Sequence, residues 1–379
     1  MTFKLKNTIM SVSGLGNAHK ISQNGLVVFI MPEKNRITIY DVAKKAGVSR
    51  QTVSRVLNNR QDVSEDTRKR IQDIIEELNY HPNAIAQSLS RQKSCLFGVV
   101  TAGLKYIGPS RTLSGITSKA EELGYGLLLK ELAQFSSNDV QSLLHWFQSH
   151  QVEGIIWAIP EVCDNHNWLD SLLPGLDTPI LFLSISQRDK VQIVSVDNYQ
   201  GARAATQLLI DQGKKHIAHI AGPGEWWEAQ QRRAGWSDAL SEEGFSVEVE
   251  MCVEGNWSSR SGKAAYTDLS EQYSQMDAVF VANDQMALGV LQSTAEQGLR
   301  IPDDLMVIGF DGIPESEFFS PSLTTVYQDQ NMLGSIAVEE LAKMVENDQS
   351  KEGNEPPTHI ILQPELILRQ STGEYPGRI

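Results

Sequence analysis

Between Ser49 and Asn58 the chain sets Arg50, Gln51, Ser54 and Arg55 at helical spacing, on the side away from Val53, Val56 and Leu57. An arginine guanidinium makes paired bonds to a guanine edge and a glutamine amide makes them to adenine. The hydroxyls of Ser49, Thr52 and Ser54, with helix N-terminal amides, suit phosphate oxygens. Such chemistry needs rigid helices to present it. Thr38 is a candidate N-cap for a first helix whose Ile39, Val42, Ala43 and Ala46 form one apolar stripe, and Gly47 sits where a C-terminal stop belongs. Ser49 caps a second helix, and Ser64 caps a third that carries Ile71, Ile74, Ile75 and Leu78. The tight glycine turn between the first two predicts helix-turn-helix geometry.

The net charge of −14 is unsuited to a polyanion, but it is unevenly distributed. Arg36 to Lys93 holds 11 Lys and Arg against 7 Asp and Glu, whereas Ser94 to Ile379 holds 18 against 39. Only the short N-terminal segment suits a phosphate backbone. The eight histidines are scattered, Gly-x-Ser-x-Gly is absent, and Gly222-Pro223-Gly224 lacks the rest of a phosphate loop, so no enzyme is expected. Cys95, Cys163 and Cys252 are odd in number and widely spaced, which predicts free thiols with no disulfide framework, metal or cofactor. No apolar run approaches the roughly 20 residues of a membrane helix, and no cleavage pattern follows Lys4 and Lys6, so a cytoplasmic protein is expected.

The length of 379 residues predicts two or three compact units. Residues 1–35 carry neither helical nor alternating periodicity and are expected to lack regular structure, with Met31 a candidate translation start. Beyond Ser94 come continuous apolar runs: Leu96 to Val100, Gly126 to Leu129, Gly154 to Trp157, Ile180 to Leu183, Ile217 to Ala221, Ala278 to Val281 and Leu305 to Phe310. Segments of helical spacing such as Ser114 to Leu123, Ala202 to Gln212 and Met286 to Gln297 separate them. This predicts an α/β architecture of parallel strands covered by helices on both faces. Ligands then bind beyond the carboxyl ends of the strands, which places a site among Thr101 to Ser110, Trp157 to Glu161, Gly222 to Trp227, Asn283-Asp284 and Asp311-Gly312.

Three motifs together resemble the lactose-repressor (LacI/GalR) family: Asp41-Val42-Ala43 with Ala46-Gly47-Val48-Ser49, then Thr52 through Asn58, then Tyr80-x-Pro82-Asn83-x-x-Ala86-x-x-Leu89. The resemblance implies a helix-turn-helix domain at 36–81 that reads operator DNA through Arg50, Gln51 and Arg55, with Thr38, Ser49, Thr52, Ser54 and Asn58 supporting it. A hinge at 82–94 follows, in which Asn83 and Ala86 contact DNA and Leu89 wedges into the minor groove. Asn79 stands where the family usually has glycine, and Gln87 where it usually has arginine. The remainder, 95–375, resembles a periplasmic-binding-protein-like sensor of two parallel-sheet subdomains, one about 95–212 with 329–357 and the other about 213–328 with 358–379. Implied effector contacts are Tyr106, Asp197, Arg232, Trp257, Asn283, Asp311 and Gln328, with Trp157, Trp226 and Trp227 as further candidates.

Such a set suits a sugar, since Trp stacks on an apolar pyranose face while Arg, Asn, Asp and Gln bond hydroxyls. Asn256-Trp257 and Leu104 to Ser110 resemble sugar-sensing more than purine-sensing members, which implies a galactoside or related oligosaccharide. Gln200 stands where an acidic sugar contact is expected. The resemblance therefore implies a homodimeric repressor of carbohydrate genes, bound to double-stranded operator DNA and a small sugar, without a membrane. The alternative is a transport-type or sensing sugar-binding protein that does not read DNA.

Overall fold

The computed structural model describes residues 19–23, 26–30, 37–57, 60–80, 93–135, 139–350 and 358–373. The chain divides into two compact units, 1–92 and 93–379. In the first unit, β1 (His19–Gln23) and β2 (Leu26–Ile30) pair antiparallel, with Gln23 opposite Leu26. This corrects the expectation of no regular structure for those residues. The signal overlooked is Asn24-Gly25, a dipeptide favoured in two-residue hairpin connections. The rest of 1–35, including Met31, lies outside the described residues.

Three helices follow, α1 (Ile39–Ala46), α2 (Arg50–Leu57) and α3 (Glu65–Glu77), around a core of Val42, Ala43, Ala46, Val53, Val56, Ile71 and Tyr80. Thr38 N and Oγ1 both donate to the Asp41 carboxylate, at 2.8 and 2.7 Å, closing the start of α1. Gly47 ends it at φ 64°, a left-handed conformation that a Cβ would strain. After α3, Asn79 adopts φ 46°. Asparagine is among the few residues that tolerate this region, so the chain turns here as a glycine would let it.

The second unit holds two six-stranded sheets. The first has strand order β13-β7-β6-β5-β3-β4, all parallel, from β3 (Leu96–Ala102), β4 (Gly126–Leu132), β5 (Gly154–Ala158), β6 (Ile180–Leu183), β7 (Gln192–Val196) and β13 (His359–Leu362). The second has order β14-β12-β11-β10-β8-β9, from β8 (Ile217–Ala221), β9 (Cys252–Glu254), β10 (Ala278–Val281), β11 (Met306–Asp311), β12 (Thr324–Tyr327) and β14 (Glu365–Ile367), with only β14 antiparallel. Central strands are buried along their length because helices cover both faces, and each such Val, Ile or Phe contributes about 1.5–3 kcal/mol.

Helices α4 (Ile107–Glu122) and α11 (Gln330–Ser350) pack together on the first sheet, which α5 (Val140–Ser149) and the single turn α6 (Leu169–Leu172) also cover. Helices α7 (Asn198–Asp211) and α8 (Trp227–Glu242) pair over the second, as do α9 (Ser259–Gln272) and α10 (Asp284–Glu296). Two expected subdomain boundaries therefore move. The chain first crosses at Asp197 rather than near 212, since Ala202, Ala205 and Leu209 of α7 pack with Ile217 and Phe280 of the second sheet. It crosses last between Leu362 and Glu365 rather than at 358, because β13 pairs with β7. Periodicity shows that α7 has an apolar face but not which sheet that face meets.

Among the described residues no helix is long and apolar enough to cross a membrane. The three cysteines are free.

Candidate functional site

In the first unit, Ser49 Oγ accepts from Thr52 N at 3.1 Å and lies 2.9 Å from Thr52 Oγ1, so these two hydroxyls fix the entry to α2. Burial of Val53 and Val56 then turns Arg50, Gln51 and Arg55 to solvent. Arg55 lies 3.4 Å from Asp62 in an exposed pair, which holds it weakly. Tyr40, Lys44 and Lys45 of α1 are exposed as well, with Lys45 engaged with Glu77 of α3. The outcome is an exposed helix carrying two guanidiniums and an amide on a small rigid base. Asn58, Asn83, Ala86, Gln87 and Leu89 lie outside the described residues.

In the second unit a pocket opens between the two sheets, at the carboxyl ends of their strands. The first subdomain contributes Tyr106 at the start of α4, Pro160 after β5 and Ser184 after β6. The second contributes Trp226, Glu228 and Arg232 around α8, Trp257 before α9, Asn283 and Gln285 after β10, Asp311 at the end of β11, and Gln328 after β12. Six of the seven expected effector residues therefore meet here.

Asp197 does not. It caps α7, accepting from Gln200 N at 3.0 Å, and takes a bond from Gln363 Nε2 at 3.3 Å, so it ties two crossovers together. Gln200 is exposed on α7 and outside the pocket. Trp157 packs in the core against Trp168, with ring centroids 4.7 Å apart, and Trp227 engages through its backbone N, 3.0 Å from Glu161 O.

Arg232 is 4% exposed and held on every side. Its Nε donates to Asn198 Oδ1 at 2.8 Å, one terminal nitrogen donates to Ala282 O and lies 3.4 Å from Asp311 Oδ1, and the guanidinium stacks 3.9 Å over the Phe310 ring. Gln328 Nε2 donates to the same Asp311 oxygen at 2.7 Å. Asn283 caps α10 by accepting from Met286 N, while its amide donates to Trp257 O at 3.1 Å and Gln285 Oε1 at 2.8 Å. It is a cap and a pocket wall at once. The Trp257 ring lies so close over Gly222 that a Cβ there would come within 2.0 Å of it.

Tyr106, Phe135, Trp226 and Trp257 form a chain of ring contacts across the cleft, with centroids 4.7–6.3 Å apart. Backbone strain collects here too: Ser184, Trp257 and Asp311 have φ of 52°, 71° and 104°. A surrounding structure must hold such conformations, and they concentrate at ligand sites.

Electrostatics follow from burial. Burial pushes the Asp311 carboxyl up, against the pull of Arg232 and Gln328. Burial likewise raises Glu228. Behind them Asp284 accepts from Thr325 Oγ1 at 2.6 Å and from Ile313 N at 2.8 Å; burial and the nearby Asp311 charge push it up to about 8. Folding therefore retains a proton here that the unfolded chain loses near pH 4. The associated stability is complete below that pH and is lost as pH rises through about 8, by up to about 1.4 kcal/mol per unit. Asp284→Asn should reduce this slope in chemical unfolding between pH 5 and 8, leaving the part due to Asp311 and Glu228. An unchanged slope would show that Asp284 is ionised throughout.

Ser184, Glu228 and Gln285 were not singled out from sequence. Ser184 follows an expected strand end, and Glu228 lies one helical turn before Arg232, on the same face of α8.

Comparison with known proteins bears on both units. The model of bacterial regulatory proteins of the lacI family matches residues 38–83, and that of a periplasmic binding protein-like domain matches 206–372. The lactose operon repressor of Escherichia coli is 33% identical over 336 residues, 89% of this chain and 91% of that protein. Catabolite control protein A of Priestia megaterium is 34% identical over 89% of this chain and 99% of its own length. Among solved structures, a lac repressor dimer bound to operator and the anti-inducer ONPF aligns with a TM-score of 0.78 at 32% identity, over 90% of this chain and 100% of that one. A CelR–cellobiose complex aligns at 0.65 and 28% identity, over 89% and 100%.

Proposed function

The chain belongs to the lacI family of bacterial regulatory proteins, and from that premise we propose that it is a homodimeric repressor whose operator affinity is set by a small sugar held between the sensor subdomains. The observation that carries the sugar is the pocket itself. Aromatic faces from Tyr106, Trp226 and Trp257 stand beside directed polar groups from Arg232, Asp311 and Gln328, the pairing that a pyranose ring with its hydroxyl rim requires. Because both subdomains contribute walls, occupancy favours one relative arrangement of the two, and differential affinity for the two arrangements is what shifts an equilibrium.

The exposed face of α2 supports reading of the major groove by Arg50, Gln51 and Arg55, and the relatives are regulatory proteins rather than enzymes. A dimer places two such helices on half-sites about one helical turn apart, or a multiple of one, so the bound DNA is near-palindromic. Selection of bound duplexes from a random pool by the purified protein tests this. Enrichment of a near-palindrome supports the reading; recovery of unrelated sequences leaves a sugar-binding protein that does not read DNA.

A further inference from the structure

Resting on the sugar reading above, we propose that Glu228 sets the charge selectivity of the pocket: it restricts the effector to an uncharged sugar that donates a hydroxyl to its carboxylate, and it excludes sugar phosphates and uronates. Among the described residues, the carboxyl and cationic side chains lining the pocket are Glu228, Asp311 and Arg232, two acids against one base. That single cation is already largely engaged. Arg232 is buried, its Nε donates to Asn198 and one terminal nitrogen serves the Ala282 carbonyl and Asp311, so its charge is shared with the Asp311 carboxylate before any ligand arrives. Arg111 acts on Asp311 from outside the lining.

Glu228 differs from Asp311 in how it is held. Asp311 has the Gln328 amide at 2.7 Å as well as Arg232. The Arg232 charge favours the Glu228 carboxylate against burial and the Asp311 charge, with a smaller contribution from Ser184, across the cleft on the other subdomain. In its ionised form, which Arg232 favours and burial opposes, this carboxylate accepts at about four lone-pair sites at the pocket wall. A hydroxyl donor from the ligand satisfies it, whereas a phosphate or carboxylate brought beside it meets a like charge in an enclosed, water-poor space. Since Ser184 and Glu228 lie on opposite walls, a ligand that engages this acid is felt by both subdomains.

The test uses the full chain and its Gln and Ala variants at position 228, followed by tryptophan fluorescence and thermal shift. The probes are neutral lactose, melibiose and cellobiose, anionic glucose 6-phosphate and galacturonate, and cationic glucosamine. A neutral sugar should bind the unaltered protein best. Glu228→Gln should weaken it by roughly 10- to 100-fold, the effect of losing one hydrogen bond to a charged group, and should narrow the discrimination against the anions by at least about tenfold. An unchanged circular dichroism spectrum and a cooperative thermal transition show that the sensor of each variant is folded.

Preference of the unaltered protein for an anionic sugar or for glucosamine overturns the proposal, as does discrimination left unchanged in Glu228→Gln. In those cases sugar sensing itself stands. No response to any of the six probes, with operator binding intact, contradicts the sugar reading and this inference together.

Discussion

Arg232→Ala is expected to abolish the effector response while sparing operator binding. Removing the guanidinium leaves Asp311 enclosed without its cation, and leaves Asn198 Oδ1 and Ala282 O without their donor. Breaking a buried charge pair from one side costs about 3–5 kcal/mol, which corresponds to more than a hundredfold in affinity if it is expressed in binding. Part of that cost falls on the stability of the sensor, so the melting temperature should drop as well. The helix-turn-helix core of Val42, Val53 and Ile71 belongs to the other compact unit and shares no residue with this network. Calorimetric titration with the effector and fluorescence-polarisation titration with the operator separate the two outcomes. Effector-dependent release at an unchanged sugar concentration would show that Arg232 only packs.

Arg50→Ala is expected to act in the opposite sense. Arg50 opens α2, is exposed, and stands next to Gln51 on the face turned away from the core. A bidentate contact from arginine to guanine is worth about 1–3 kcal/mol of discrimination, so operator affinity should fall roughly 5- to 150-fold and preference at one base position should relax. Effector affinity should not change. Equal weakening on operator and random duplexes would instead assign Arg50 to phosphate, where its loss lowers the salt dependence and leaves the sequence preference intact.

How far the sequence foretold this molecule depended on whether each signal was local. The three helices of the first unit could be read because caps, stripe and glycine stop fall within a few residues of one another, and Thr38, Gly47, Ser49 and Ser64 all mark their ends. The α/β character could be read because buried parallel strands are continuous apolar runs. Helix α4 starts at Ile107, seven residues before the expected Ser114, since Gly108-Pro109 hides its first turn. Strand β7 was passed over because Gln192 and Ser195 break its apolar run; Gln192 bonds Thr358 and Ser195 bonds His359, partners far away in sequence.

Site residues divided along the same line. Arg232, Trp257, Asn283, Asp311 and Gln328 came from motif resemblance, and the fold brings them together from four strand ends and one helix. Asp197 resembled an effector contact and is a cap, because the chain changes subdomain there and the new helix needs its first amides satisfied. Glu228 had no motif to mark it. Its significance lies in the charge balance of the described residues lining the pocket, Glu228 and Asp311 against Arg232, which is a property of the assembled pocket and of no stretch of sequence.

The most direct test of the central claim, that one chain reads DNA under the control of a small molecule, is fluorescence polarisation of the full protein on a labelled near-palindromic duplex from upstream of its own gene, with and without a panel of neutral sugars. Tight, salt-sensitive binding that one sugar shifts, and that the same sugar no longer shifts in Arg232→Ala, is the expected result. Binding no tighter than to random duplex, or operator binding that no effector of any charge alters, would contradict the account.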